Sequence, residues 1–134
     1  MSRQLEHSAS LGGSEAHFCL GDMIFNGTDG YSVNYPKALR HFAAAARNRH
    51  AGALTSVGAM LYNGLGTKRD LGLAFRAYQL AAEAGSIAAM RNLASMHMLG
   101  EGCEKDMAKA KVLTKVADEA EAELERGGGL PTMQ

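Results

Sequence analysis

The chain has 134 residues, enough for one domain with a continuous core and too few for two. Hydrophobic residues make up 46% of it, aromatics 6%, and tryptophan is absent. The apolar content is therefore mostly alanine, leucine, valine and methionine, which favours close-packed helices over a sheet, and fourteen basic side chains cancel fourteen acidic ones, which removes the positive field that non-specific nucleic-acid binding needs.

The N-terminal residues, Met1 to Leu11, carry one arginine and no apolar stretch, unlike a signal peptide. No apolar run approaches the roughly 20 residues that cross a bilayer. Ala9 and Gly12 lie 73 residues before Ala82 and Gly85, so residues 1–12 read as the second half of a repeating unit. The first whole unit, about 14–50, carries Gly21, Asn26 and Gly27 at 37 residues before Gly58, Asn63 and Gly64. Its Ala38, Phe42 and Ala45 stand 36 before Ala74, Tyr78 and Ala81, and Asn34 stands where Asp70 does. Lys37, Arg40, Arg47 and Arg49 give this unit four cations with no acid between Asn34 and His50. They read either as a solvated face or as a site for an acidic partner.

The second unit, about 51–86, spells out two antiparallel helices. Ala53, Val57, Gly58 and Leu61 recur at helical spacing along helix A. Gly64 ends that helix, because glycine enters the left-handed conformation that a helix C-terminus commonly needs. Gly66 gives the loop a second sharp turn, Asp70 caps helix B, and Gly85 closes it. Gly58 costs about 1 kcal/mol inside a helix, which predicts a close approach of helix A to helix B there.

The third unit, about 87–126, repeats the second. At an offset of 36, residues 53–84 and 89–120 share nine identities in 32 positions, including Gly64/Gly100, Gly66/Gly102 and Asp70/Asp106. Met90, Met96 and Met98 gather on its helix A and suit either a core or an adaptable groove. Glu121 replaces the closing glycine, and the last helix is expected to run to about Arg126 as an acidic terminal cap. The tail from Gly127 to Gln134, with three successive glycines and Pro131, reads as disordered.

The segment Val57-Gly58-Ala59-Met60-Leu61-Tyr62-Asn63-Gly64-Leu65-Gly66, followed by Asp70, Ala74, Tyr78, Ala81-Ala82 and Gly85, resembles the Sel-one-like repeat family, a relative of the tetratricopeptide repeat. The resemblance covers roughly residues 5–120 and includes the lysine-alanine pairs Lys37-Ala38 and Lys109-Ala110. It departs where Ile24, Leu61 and His97 take the family's tyrosine position, and where Arg49 takes the closing glycine. The implied fold is an all-α, right-handed α-α superhelix of about three and a half antiparallel helix pairs, with the A helices on the concave side. The structural repeat residues are Gly21, Gly27, Gly58, Gly64, Gly66, Asp70, Gly85, Gly100, Gly102 and Asp106.

Catalytic and metal chemistry finds little footing. None of His7, His17, His41, His50 and His97 makes a helical i, i+4 pair, and no cysteine stands near them at ligand spacing. His97 reads as a core or groove residue. Cys19 and Cys103 are too few for a disulfide scaffold, lie on different units, and point to a reducing, intracellular setting. The Gly-x-Gly loops lack the strand and lysine of a phosphate cradle. No catalytic residue, metal or cofactor is expected. The resemblance implies instead an adaptor or a structural subunit of a larger complex, with a protein partner, no nucleic acid, no membrane insertion and a possible second copy of itself. Repeat register puts His17, Asp22, Thr55, Ala59, Arg91, Asn92 and Ser95 on the groove. The alternatives are a ligand-binding or hydrolytic repeat protein of the β-lactam-recognising kind, and a fragment of a longer regulatory chain.

Overall fold

The computed structural model describes residues 5–7 and 13–127. Ala9, Gly12 and most of the expected half unit fall outside the described residues, as does the tail beyond Gly127. Among the described residues the fold is all-helical. Its helices are α1 (Ser14–Asn26), α2 (Tyr35–Ala46), α3 (Ala51–Asn63), α4 (Leu71–Glu83), α5 (Ile87–Leu99) and α6 (Met107–Glu125), after a helical stretch at 5–7. Each helix packs on the next, so three A/B hairpins (α1–α2, α3–α4, α5–α6) stack side by side.

The helix ends repeat almost atom for atom. Gly27, Gly64 and Gly100 sit at φ +69°, +69° and +71° and donate their amides to the carbonyls of Met23, Met60 and Met96. That is the left-handed C-terminal stop that glycine forms at least cost. Six or seven residues later Asn34, Asp70 and Asp106 cap the B helices, their side chains accepting from the amides of Lys37, Leu73 and Lys109. The amides of these same cap residues donate to the carbonyls of Ile24, Leu61 and His97 at 3.1, 2.9 and 2.8 Å. The three residues in the family's tyrosine position therefore receive a loop-closing bond through their backbone.

The core is built on small residues. Ala38, Ala45, Ala53, Ala74, Ala81, Ala89 and Ala117 have no exposed surface, and they let the helices approach closely enough to bury Phe42, Leu20, Ile24, Met60 and Met96. At Gly21 and Gly58 the approach is closest. A methyl group on Gly21 would stand 2.7 Å from the Phe42 ring, and one on Gly58 would stand 2.8 Å from the Tyr78 ring. In the third hairpin the same two positions hold Ala94 and Thr114. Where the B-helix ring is missing, the A helix carries a methyl group.

Gly66 and Gly102 fix hairpin against hairpin. Added methyl groups would meet the Tyr35 carbonyl oxygen at 2.7 Å and the Leu71 carbonyl oxygen at 2.3 Å. Each A–B loop thus presses on the start of the preceding B helix with nothing but backbone in between. The stack ends in a polar face. Leu39 with Ala46, and Phe75 with Ala82, join the apolar clusters between hairpins, and the same rows in α6 hold the exposed Lys111 and Asp118. Helix α6 has 19 residues against 12 or 13 in the others. At its far end Asp118 and Glu121 receive Arg91 at 3.0 and 2.8 Å.

Candidate partner-binding groove

Two adjoining hollows run along the A helices. The first, about 240 Å³, lies between α1 and α3, with Asp22, Asn26, Ser56, Ala59 and Asn63 around a floor of Phe25, Phe42 and Met60. The second, about 320 Å³, lies between α3 and α5, with Ala59, Tyr62, Asn63, Asn92 and Ser95 around Tyr78 and Met96. Ala59 and Asn63 belong to both, so the hollows form one track across three hairpins. The groove exists because Ala59 and Ser95, at the same register as Asp22, are short. Longer side chains there would fill it.

Its chemistry is polar with an apolar floor. Asn26 and Asn63 donate their amide nitrogens to the carbonyls of Asp22 and Ala59, at 2.9 Å each, which fixes both side chains at the groove edge. Asp22 is half-buried, and among the described residues no hydrogen bond reaches its carboxylate. Burial first, and then the nearby Glu15 charge, push its carboxyl above the usual aspartate range. Tyr78, under the second hollow, is pushed up to about 12 by burial and keeps its phenolic proton at any physiological pH.

Of the residues placed on the groove by register, Asp22, Ala59, Asn92 and Ser95 line these hollows. Three do not. Thr55 bonds the Ala51 carbonyl and, at 2.7 Å, the Ser86 hydroxyl that caps α5. Arg91, at the equivalent register, is held by Asp118 and Glu121. This register meets the start of the next A helix, and after α5 the extended α6 lies there instead. His17 points at α2, its Nδ1 lying 3.0 Å from Nδ1 of His41. Asn26, Asn63, Ser56 and Tyr62 are groove residues that register reasoning passed over. The recurrence of Asn26 and Asn63 at 37 residues was the available signal.

The A helices are tied to one another at the groove's rim. His50 caps α3 by accepting from the Ala53 amide on Nδ1 and meets Glu15 Oε1 at 2.8 Å through Nε2. That bond holds the Glu15 carboxyl below its ordinary range. Asn48 reaches Ser14, and Tyr62 reaches Glu101 at 2.7 Å. The methionines divide: Met96 is buried, Met90 half-buried and Met98 exposed.

His97 is buried and meets the edge of Phe75, with ring centroids 5.3 Å apart. Contrary to the reading from sequence spacing, a cysteine does stand beside it. The loop folds back and sets Cys103 Sγ 3.6 Å from His97 Nδ1 and equally far from the Met96 carbonyl. Burial raises the Cys103 thiol above its ordinary range, which leaves it a poor nucleophile at neutral pH. Cys19 and Cys103 are both free thiols. Among the described residues no group of three or more potential ligands is arranged to hold a metal ion, and no helix is long and apolar enough to cross a membrane.

A family model described as the Sel1 repeat matches residues 14–50, 51–86 and 87–115. A crystal structure of a Sel1 repeat protein from Oxalobacter formigenes is 30% identical, with a TM-score of 0.78 over 92% of this chain and 96% of that one. A protective antigen present in uropathogenic Escherichia coli strains, displaying an SLR fold, is 24% identical with a TM-score of 0.83 over 94% of this chain. This chain spans only 29% of that antigen. Helicobacter pylori cysteine rich protein B is 20% identical, with a TM-score of 0.69 over 93% of this chain and 94% of that one. At these identities the last two likenesses concern the fold.

Proposed function

The chain belongs to the Sel1 repeat family, whose members are generally non-enzymatic protein-interaction modules, and from that premise we propose that it is an adaptor or structural subunit that seats an extended segment of a partner protein along the α1, α3 and α5 groove. The single observation that carries this reading is the continuous track through Asp22, Ala59, Asn63, Asn92 and Ser95, polar at its edges and apolar beneath. An extended segment exposes one backbone donor and acceptor per residue, which short polar side chains on successive helices can meet while apolar side chains enter the hollows. The unpaired Asp22 favours a segment that brings a lysine or arginine to the α1 end.

Affinity capture with mass spectrometry from native extract tests this, comparing the wild-type chain with Ala59→Arg and Asp22→Asn. A stoichiometric partner held by the wild type, lost with Ala59→Arg and weakened with Asp22→Asn, is the expected result. Equal recovery on all three baits defeats the reading.

A further inference from the structure

The B helices and the loops before them present a patterned surface built from residues other than those of the groove. Taken relative to each cap residue (Asn34, Asp70, Asp106), the residue before the cap and the third and sixth after it are among the positions exposed in every hairpin. The last two lie one helical turn apart on the same face. The first row holds Val33, Arg69 and Lys105; the second Lys37, Leu73 and Lys109; the third Arg40, Arg76 and Val112. Each row has two cations and one large apolar side chain, and no row has an acid. The apolar member shifts by one row per hairpin, so Val33, Leu73 and Val112 form a diagonal across the stack, exposed by 54%, 55% and 61%. Cations flank it on both sides.

The rows are continuous because each A–B loop rests on the start of the preceding B helix, Gly66 on Tyr35 and Pro36, Gly102 on Leu71 and Gly72. The charges here are not consumed internally. Among the described residues the ion pairs use Arg91, Arg126 and His50, and none of the six cations in these rows. Arg69 alone is partly engaged, donating to the Tyr62 carbonyl and lying over that ring. The acids beside these rows are Glu6, which shares a hollow with Lys37, Glu104 next to Lys105, and the cap carboxylates of Asp70 and Asp106, which accept from backbone amides. Six of the fourteen basic residues thus stand on one face outside the ion pairs of the described residues.

We propose that this face docks an acidic polypeptide segment whose apolar side chains follow the Val33–Leu73–Val112 diagonal while its carboxylates meet the flanking lysines and arginines. A narrow apolar line between two cationic banks fits a linear amphipathic chain. It fits an anionic bilayer poorly, because none of the nine side chains is aromatic and the apolar ones form no contiguous patch. A chain with one segment in the groove and another on this face would join two partners.

The test uses the full chain and a fluorescein-labelled amphipathic peptide of glutamate, leucine and alanine, with a lysine-for-glutamate peptide and phosphatidylcholine–phosphatidylserine vesicles as competing probes. The acidic peptide is expected to bind saturably and to weaken with added salt. Arg40→Glu with Arg76→Glu should weaken it by roughly tenfold or more, and Leu73→Ala by roughly threefold. Asp22→Asn should leave it unchanged, which separates this surface from the groove. No saturable binding, binding untouched by these substitutions, preference for the vesicles, or low-salt self-association abolished by the Arg40/Arg76 pair would each overturn the proposal.

Discussion

Substituting Gly58 by alanine reverses the ordinary expectation for a helix interior. On an open helix the change stabilises by about 1 kcal/mol. Here the new methyl carbon would lie 2.8 Å from two atoms of the Tyr78 ring, whereas ordinary contact begins at 3.4 Å. The ring must retreat by about 0.6 Å, yet it is 4% exposed and packed in the cluster with Leu54, Leu93 and Met96. Overpacking of this kind costs about 1–3 kcal/mol, so after the propensity gain Gly58→Ala should be destabilising by up to about 2 kcal/mol. The third hairpin supplies the control, since it carries Ala94 and Thr114 at these positions. Tyr78→Thr alone should cost about 3–5 kcal/mol through the cavity it leaves. The double variant should be less unstable than the sum of the two by about 1–2 kcal/mol. Urea unfolding followed by circular dichroism measures all four corners of the cycle. A Gly58→Ala protein more stable than wild type, or strictly additive effects, would refute the packing argument.

Arg49 stands at φ 61°, at the register where Gly85 closes the second hairpin. Relieving that strain with Arg49→Gly should stabilise by about 0.5–1 kcal/mol after the added flexibility of the unfolded chain is counted, and a lowered thermal midpoint would contradict it. Gly102→Ala should cost about 3 kcal/mol or more, through its left-handed backbone and its contact with the Leu71 carbonyl. Gly85→Ala, with nothing within 4 Å, should cost only about 1–2 kcal/mol; equal losses would show that the loop contact carries no weight. His41 has its pKa lowered from 6.5, first by burial and then by His17, Lys37 and Arg40. The unfolded chain therefore takes up this proton before the folded one does. Stability from this group is complete above pH 6.5 and declines as the pH falls below it. Urea midpoints at about pH 7.5 and about pH 5.5 should differ more for wild type than for His41→Gln.

The repeat was legible because its markers are backbone events. Glycines at 64 and 100, and cap residues at 34, 70 and 106, are fixed by local geometry and so recur at a constant period whatever surrounds them. The aromatic–glycine pairing was half legible: Gly58 announced a close approach, and only the structure identified Tyr78 as the group approaching. The groove was harder to read. Thr55 and Arg91 lie within one position of groove residues along their helices, but which side of an A helix stays open depends on the neighbouring helix start. For Arg91 it also depends on how far α6 extends. His17 was misdirected for a related reason, because the first A helix turns that register toward His41. The Cys103–His97 contact depends on a loop reversal that spacing along the chain does not encode. The cationic rows were visible only as a run of four basic residues near α2. Their extension over three B helices needs the stacking of the hairpins.

Backbone amide shift mapping with the captured partner segment tests the groove most directly. Perturbations concentrated at Asp22, Ala59, Asn63, Asn92 and Ser95 are the predicted result, with α2, α4 and α6 little changed. Shifts confined to the B helices, with those five amides unmoved, would contradict it.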